Sequence, residues 1–415
     1  MKRGTPGRRV TFPYSGSDVD SVVPWPLHPK PPLSLTTDQA AGLDQAMLAL
    51  GRLSGLVNSV GRLPPRLQEL FVWREALMAM SVAKLPLSLE DLIMYEAGYP
   101  PPGVPEQRVA TARRAISAHE RGLARLKTTG AVDSALMREL HLTLTGEPRR
   151  NKYGVSSHLG RPGAYRHTLL WTGNLRRTNW PNLRSPPARV PALMRNLDDF
   201  LADRGPGSGN QALTKAAIAH AQIELVYPFA DDACRTNLHF TGLLLRSLAL
   251  TSRPAFQLSE PLVRYRLDYL QALDLVLYEG NWENWTHFFS WWILNAAERS
   301  AALISRVTTL RAEHMALIAD LKRSKPSVAA VFTTLAGDLV TTPKRLVANS
   351  GITKTPVYKA LAILEEMGIA RELTGFARYR LYRYEPLIRA FASGTGLPAP
   401  GPARAPRTYE APRYV

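Results

Sequence analysis

The sequence predicts a mainly α-helical protein with a small mixed α/β unit near its C-terminus. Apolar residues recur at helical spacing from about Thr37 to Arg125, through Leu43, Met47, Leu50 and Leu53 and then Leu67, Leu70, Phe71 and Leu77, and again from Ala135 to Ala302. Strand-like alternation is confined to Ile369–Leu373 and Arg378–Tyr382, on either side of Gly375. With 415 residues, 45% of them hydrophobic, the chain has material for a sizeable core and two or three domains.

Residues 1–35 lack an apolar period, and Pro24, Pro26, Pro29, Pro31 and Pro32 forbid a helix, which predicts a flexible Pro- and Arg-rich arm. Residues 36–125 read as a helical extension and 126–302 as a helical core. The core is interrupted from Gly146 to Pro191 by a long irregular stretch rich in Gly, Pro, Arg and Asn, and such a stretch inside a compact domain is more often functional than decorative. Residues 303–322 are expected as a linker helix and 323–391 as a separate unit. In that unit Pro326–Leu339 forms one helix, Thr342 caps a second that begins with Pro343, Gly351 stops it, and Thr353–Leu364 forms a third before the hairpin. Residues 392–415 read as a disordered tail.

A formal net charge of +18 points toward an acidic partner such as nucleic acid, because phosphate neutralisation by Lys and Arg gives affinity without sequence preference. Basic ends, with Arg3, Arg8, Arg9, Arg404 and Arg407, supply part of that excess. Cys234 is the sole cysteine, which excludes an intramolecular disulfide and fits a reducing compartment. The apolar runs are short, and one of the longest, Leu243–Leu250, contains Arg246, so no signal peptide or membrane span is expected and the expected location is cytoplasmic.

Residues Tyr227–Leu238 read Tyr-Pro-Phe-Ala-Asp-Asp-Ala-Cys-Arg-Thr-Asn-Leu. This run resembles the signature of the Fic (Fido-domain) family, His-Pro-Phe-x-Asp/Glu-Gly-Asn-Gly-Arg-x-x-Arg. Pro228, Phe229, Asp231 and Arg235 match, whereas Tyr227 stands at the His, Asp232-Ala233-Cys234 at the Gly-Asn-Gly run, and Leu238 at the last Arg. Other fragments follow in the family's order. Arg74-Glu75-Ala76-Leu77 and Ser88–Leu92 are similar to the N-terminal helical extension of many Fic proteins, and Leu140-His141 to the first core helix. Pro162-Gly163-Ala164-Tyr165-Arg166, with Trp171-Thr172-Gly173 behind it, resembles the flap, while His220-Ala221-Gln222 and Gly280–Trp285 flank the motif. The resemblance spans about residues 36–390. It implies a Fic helical core with a small β-hairpin flap that docks a target protein at Pro162, Gly163 and Arg166.

In the family mechanism the His is general base for a target hydroxyl that attacks the α-phosphate of ATP, and AMP is transferred. Tyr227 is a poor substitute, since a phenol with an ordinary pKa of about 10 stays protonated at neutral pH. By the resemblance Phe229, Asp232, Ala233, Cys234, Arg235 and Tyr269 fall at nucleotide- and phosphate-binding positions, and Asp231 at the Mg²⁺-binding acid. Asp232 brings negative charge into a loop whose backbone N–H groups would cradle phosphates, and Leu238 deletes a clamp. Two readings stand for Asp231, metal ligand or helix-start acid, and two for Arg235, phosphate clamp or partner of Asp231 or Asp232. Cys234 reads as a small packed residue or a nucleophile without a base, and His220 as packing or a displaced base. In the family's inhibitory helix pattern, Ser/Thr-x-x-x-Glu-Gly/Asn, Ala79, Ala83 and Lys84 take the Ser, Glu and Gly positions, so brake and clamp are both missing.

The order helix, helix, turn, helix, hairpin in residues 323–391 resembles a winged helix, with Lys354 and Lys359 on the recognition helix and Arg378 and Arg380 on the wing positioned for DNA phosphates. A winged helix used for protein contact is the alternative. The sequence therefore predicts a Fic-type protein adenylyltransferase homologue without catalysis, a pseudoenzyme acting through nucleic-acid or protein binding; the other reading is an active nucleotidyl or phosphate-group transferase with altered chemistry. ATP and Mg²⁺ are implied for an active chain and no cofactor for an inactive one. The partners implied are DNA at the winged helix, a target protein at the flap and a second copy of the chain, with no membrane.

Overall fold

The computed structural model describes residues 7–14, 17–61, 63–146, 160–170, 184–203, 209–251, 255–321, 325–375 and 380–393. Among these, helices dominate and strands form only two small sheets. The first departs from the expected flexible arm. Strands β1 (Gly7–Tyr14) and β2 (Ser17–Pro24) pair antiparallel with Gly7 opposite Pro24. The hairpin is fastened to the core through Ser21 Oγ, which donates to Arg184 O at 2.7 Å, and through Leu27 N, which donates to Asn196 Oδ1 at 2.8 Å. The prolines do exclude a helix. The alternation of polar residues with Val10 and Phe12 on one side of the Ser15-Gly16 dipeptide and with Val19 and Val23 on the other was the strand signal that a helical period could not reveal.

The extension consists of α1 (Thr37–Ser59), α2 (Pro65–Val82), α3 (Leu89–Glu96) and α4 (Glu106–Thr129). Local chemistry sets their ends: Thr36 and Gln39 form a reciprocal capping box, Ser88 caps α3, and Gly130 closes α4 in the left-handed region. The core follows as α5 (Ser134–Thr145), α6 (Val190–Ala202), α7 (Gly209–Val226), α8 (Ala233–Ser247), α9 (Glu260–Arg264), α10 (Arg266–Glu279) and α11 (Trp282–Ala319). Helix α7 is the central post. It is buried on every side from Ala216 to Val226, and α1, α6, α8, α10 and α11 pack around it. Trp285 and Trp292 belong to this core, each indole donating to a buried carbonyl, Ala217 O and Leu258 O.

The sequence boundary at 302/303 leaves no break, since α11 runs on through the expected linker without a Gly or Pro in its 38 residues. Nor do extension and core separate: α1 lies along α11, α2 and α4 lie on α8, and one hydrophobic cluster runs from Leu27 to Phe391. The C-terminal unit contains α12 (Lys325–Asp338), α13 (Pro343–Ser350), α14 (Lys354–Glu366) and a three-stranded antiparallel sheet in the order β3 (Val340–Thr341), β5 (Tyr382–Tyr384), β4 (Ala370–Glu372). Its last helix, α15 (Glu385–Ala392), turns back onto α2, α3 and α11. Arg74 of α2 clasps the end of α15, donating to Phe391 O at 3.1 Å and Ser393 O at 3.0 Å. Of the expected tail only Ala392 and Ser393 lie within the described residues. No described helix is long and apolar enough to cross a membrane.

Candidate functional site

The motif loop, Tyr227–Asp232, joins the central helix α7 to α8. Both its ends are left-handed without glycine: Tyr227 and Asp232 each have φ of 50°. Such a backbone costs on the order of 1–3 kcal/mol per residue and persists only where the surroundings impose it. Arg166 does much of that. It is 2% exposed, and its guanidinium donates to Tyr227 O at 2.7 Å, Val226 O at 3.2 Å, Thr168 O at 2.9 Å and Ser185 O at 2.5 Å, while its backbone N–H reaches Pro228 O. Burial first, and then the charge of Arg184, bring its pKa down to about 10.

Arg166 thus stitches the loop to the core and is not presented to a target, as the resemblance would have it. Gly163 is a second fastening: its N–H donates to His141 Nδ1 at 2.9 Å, and Arg138 Nε donates to its carbonyl at 2.8 Å. A side chain there would press within 3.2 Å of Leu142 Cβ at a φ of 73°. Because Nδ1 accepts, His141 carries its proton on Nε2 and donates it to Asp231 O at 3.0 Å, with the ring stacked on Phe229 at 3.9 Å. Pro162 lies in the turn before Gly163. The described part of the expected flap, residues 160–170, is turn and coil, and Trp171-Thr172-Gly173 lies outside the described residues.

Asp232 and Arg235 resolve the open pairing of the motif arginine. Arg235 Nε and Nη2 both donate to Asp232 Oδ1, at 3.0 and 2.5 Å, with the side chains 3% and 21% exposed. The cation that would hold phosphate is occupied by a carboxylate three residues away. Asp231 is not in this pair; its Oδ2 accepts from Gly160 N at 3.0 Å. No group of three or more His, Cys, Asp or Glu among the described residues is arranged to hold a metal.

Behind the loop lies a buried polar network. Glu224, one helical turn before Tyr227, accepts from Asn237 Nδ2 at 2.7 Å and from the Tyr269 hydroxyl, and His220 joins Tyr269 OH at 2.9 Å to Thr241 Oγ1 at 2.7 Å. Burial raises the Glu224 carboxyl above its ordinary range despite those bonds, and lowers His220 to about 3. Burial and Glu224 push Tyr227 up to about 12, and the same two causes push the Cys234 thiol up to about 12. Neither group ionises near neutrality. Arg184 packs over the Tyr227 ring, 5.1 Å from its centroid. Arg266 donates to Val82 O at the end of α2. Next to that end, Lys84 has φ of 61° at the position where the resemblance places a Gly.

Phe229, Ala233 and Tyr269, expected at the nucleotide, are buried in the core, and Cys234 packs partly buried in the first turn of α8. Far from this loop, Lys354, Tyr358 and Lys359 are exposed on the first turns of α14, and Arg380 is exposed just before β5; Arg378 lies outside the described residues. Arg166 as a clasp, Glu224, His141 and Arg184 were missed as parts of the site. The available signal was Glu224, a carboxylate flanked by the apolar residues Ile223, Leu225 and Val226.

No protein-family model matches the chain. Among solved structures it is similar to a Fic family protein from Desulfovibrio desulfuricans G20, at 18% identity over 86% of this chain and 98% of that one, with a TM-score of 0.54. Fic-1 from C. elegans aligns at 18% identity over 65% and 75% of the two chains with a TM-score of 0.46. A Fic domain containing signaling protein from Bacteroides thetaiotaomicron VPI-5482 aligns at 17% over 62% and 96%, with a TM-score of 0.42. The likeness that spans nearly the whole of both chains carries the conclusion: this chain has the Fic fold.

Proposed function

We propose that this Fic-fold chain is a non-catalytic relative of the adenylyltransferases that acts by binding, with nucleic acid as its partner. The observation that carries the first half is the Asp232–Arg235 pair, which supplies the motif with a resident anion. An incoming triphosphate must displace a carboxylate bound through two donors of a buried guanidinium, and then lie beside the displaced charge. With Asp232 on Arg235 and a protonated phenol at Tyr227, the residues present do not fit ATP and Mg²⁺. Tyr227, with its proton held to about pH 12, is no base at neutrality. Reading the chain as a transferase with altered chemistry would turn to Glu224 as the proton acceptor, but Asn237 and Tyr269 already donate to it.

Nucleic-acid binding is supported by α14. Its inner face, Val357, Ala360, Leu361 and Leu364, packs inward, while its first two turns expose Lys354, Thr355, Tyr358 and Lys359 with no acid until Glu365. With α12, α13 and the three-stranded sheet this fits a winged helix reading duplex DNA through phosphates. The test of catalysis is incubation with labelled ATP, Mg²⁺ and a cell lysate: no labelled protein is expected, for wild type or for Tyr227→His. Time-dependent labelling of any protein would overturn the non-catalytic reading.

A further inference from the structure

A groove lies between the core and the C-terminal unit. It opens where α11 meets α15, and its volume of about 610 Å³ is typical of small-molecule sites. Four guanidiniums, Arg74, Arg299, Arg306 and Arg389, line it against two carboxylates, Glu260 and Glu385. Those carboxylates are already shared. Glu260 serves Arg74 at 3.0 Å and Arg299 at 3.4 Å, while Glu385 serves Arg389 at 2.6 Å, Arg371 at 3.3 Å and Arg383. The wall therefore carries an excess of two positive charges, with Arg371 and Arg383 behind it.

The cations differ in what they can still do. Arg74 is 4% exposed and spends its donors on Phe391 O, Ser393 O, Gln257 and Glu260, so it shapes the floor. Arg306 and Arg389 are 57% and 66% exposed; Arg306 meets Glu313 only at 3.5 Å, and Arg389 uses Nε on Glu385, which leaves its terminal nitrogens facing solvent. Between the cations the wall is apolar, formed by Leu303, Ala302, Pro386 and Ala390. An inorganic ion would fill little of this space.

We propose that this groove binds an organic phosphate, its anionic head held by the guanidiniums of Arg299, Arg306 and Arg389 and its body laid over Leu303 and Pro386. Guanidinium forks match phosphoryl oxygens in geometry and charge. Arg299 and Arg306 belong to α11 and Arg389 to α15, so the ligand would bridge the core to the unit that carries α14. It is separate from the motif loop and does not depend on the catalytic reading.

Inorganic pyrophosphate serves as a probe of the head site, titrated calorimetrically into the full-length chain, with hydrogen exchange read over residues 385–392. Saturable one-site binding with slowed exchange is expected. Arg306→Gln with Arg389→Gln, both at exposed positions, should weaken it by about tenfold or more, since a hydrogen bond to a charged group carries at least a decade of affinity. Lys354→Ala with Lys359→Ala should leave it unchanged. Binding that survives the Arg306/Arg389 variant, or is lost only with Arg184→Gln at the motif loop, would overturn the assignment, as would no saturation in wild type.

Discussion

Helices α8 and α14 both begin beside cations, and they treat them in opposite ways. At α8 the starting residue Asp232 is left-handed and its carboxylate takes Arg235 out of circulation in a buried pair. At α14 the starting residue Thr353 is extended, and Lys354 and Lys359 stand in solvent. A buried cation must be neutralised and hydrogen-bonded within the fold, whereas an exposed one costs little to keep and stays available to a partner. On the proposed reading the motif loop serves the architecture, and the charge open to a partner lies elsewhere.

If the loop is architecture, its fastening should matter most to stability. Arg166→Met should destabilise the chain by about 4 kcal/mol, roughly 1 kcal/mol for each of four carbonyl acceptors, read by chemical denaturation. A change below about 1 kcal/mol, within the range of ordinary surface substitutions, would mean that the loop holds itself and the contrast with α14 fails. Asp232→Asn should cost about 3 kcal/mol, the low end for removing one partner of a buried ion pair. A neutral Asp232→Asn would instead show that Arg235 finds another acceptor and is free to bind an anion.

A smaller effect comes from acid. Burial holds His119 at about 4, His220 at about 3 and His239 at about 3. An unfolded chain protonates these rings below about pH 6.5, while the folded one keeps them neutral, so stability should fall as pH drops from about 6.5 toward 4. Glu75, raised to about 7 by burial, has the opposite sign, its contribution being lost as pH rises from about 4.5 to 7. The raised Glu224 opposes the histidines as well. Three rings outweigh two carboxyls. His239→Phe should flatten the slope of stability against pH by about 1.4 kcal/mol per unit; an unchanged slope would place that ring in contact with solvent. The mildest effect lies on α14, where Lys354→Ala and Lys359→Ala should each lower the log–log salt dependence of duplex binding by about 1. Equal salt slopes in wild type and double variant would assign the DNA affinity to other basic segments.

The helical fold was legible because Leu43, Leu50 and Leu53 or Val357, Leu361 and Leu364 repeat at a spacing that only one helix face satisfies. The resemblance to the motif was legible in Pro228, Phe229, Asp231 and Arg235, and the residues at its His, glycine and last Arg positions could be read directly. Its wiring was not. Whether Arg235 meets Asp231 or Asp232 depends on a left-handed turn at a non-glycine residue, which no propensity announces. Arg166 looked like a docking residue because its partners, carbonyls of residues 168, 185, 226 and 227, come from three chain segments that only folding brings together. The N-terminal hairpin went unseen because Pro13 and Pro24 stand within the paired residues, where proline argues against a strand, and its alternation is short.

The resident-anion account is tested most directly by calorimetric titration of ATP with Mg²⁺ into the wild-type chain. The Asp232 carboxylate, already on Arg235 and left beside any incoming phosphate, should hold the Kd above the millimolar range, since repulsion of about 1–4 kcal/mol removes roughly one to three decades of affinity. The expected result is that any saturable binding is lost with Arg306→Gln and Arg389→Gln and that no Mg²⁺-dependent binding remains at the motif loop. Micromolar, Mg²⁺-dependent binding that is abolished by Arg184→Gln but not by Arg306→Gln with Arg389→Gln would put nucleotide at the motif loop and contradict the account.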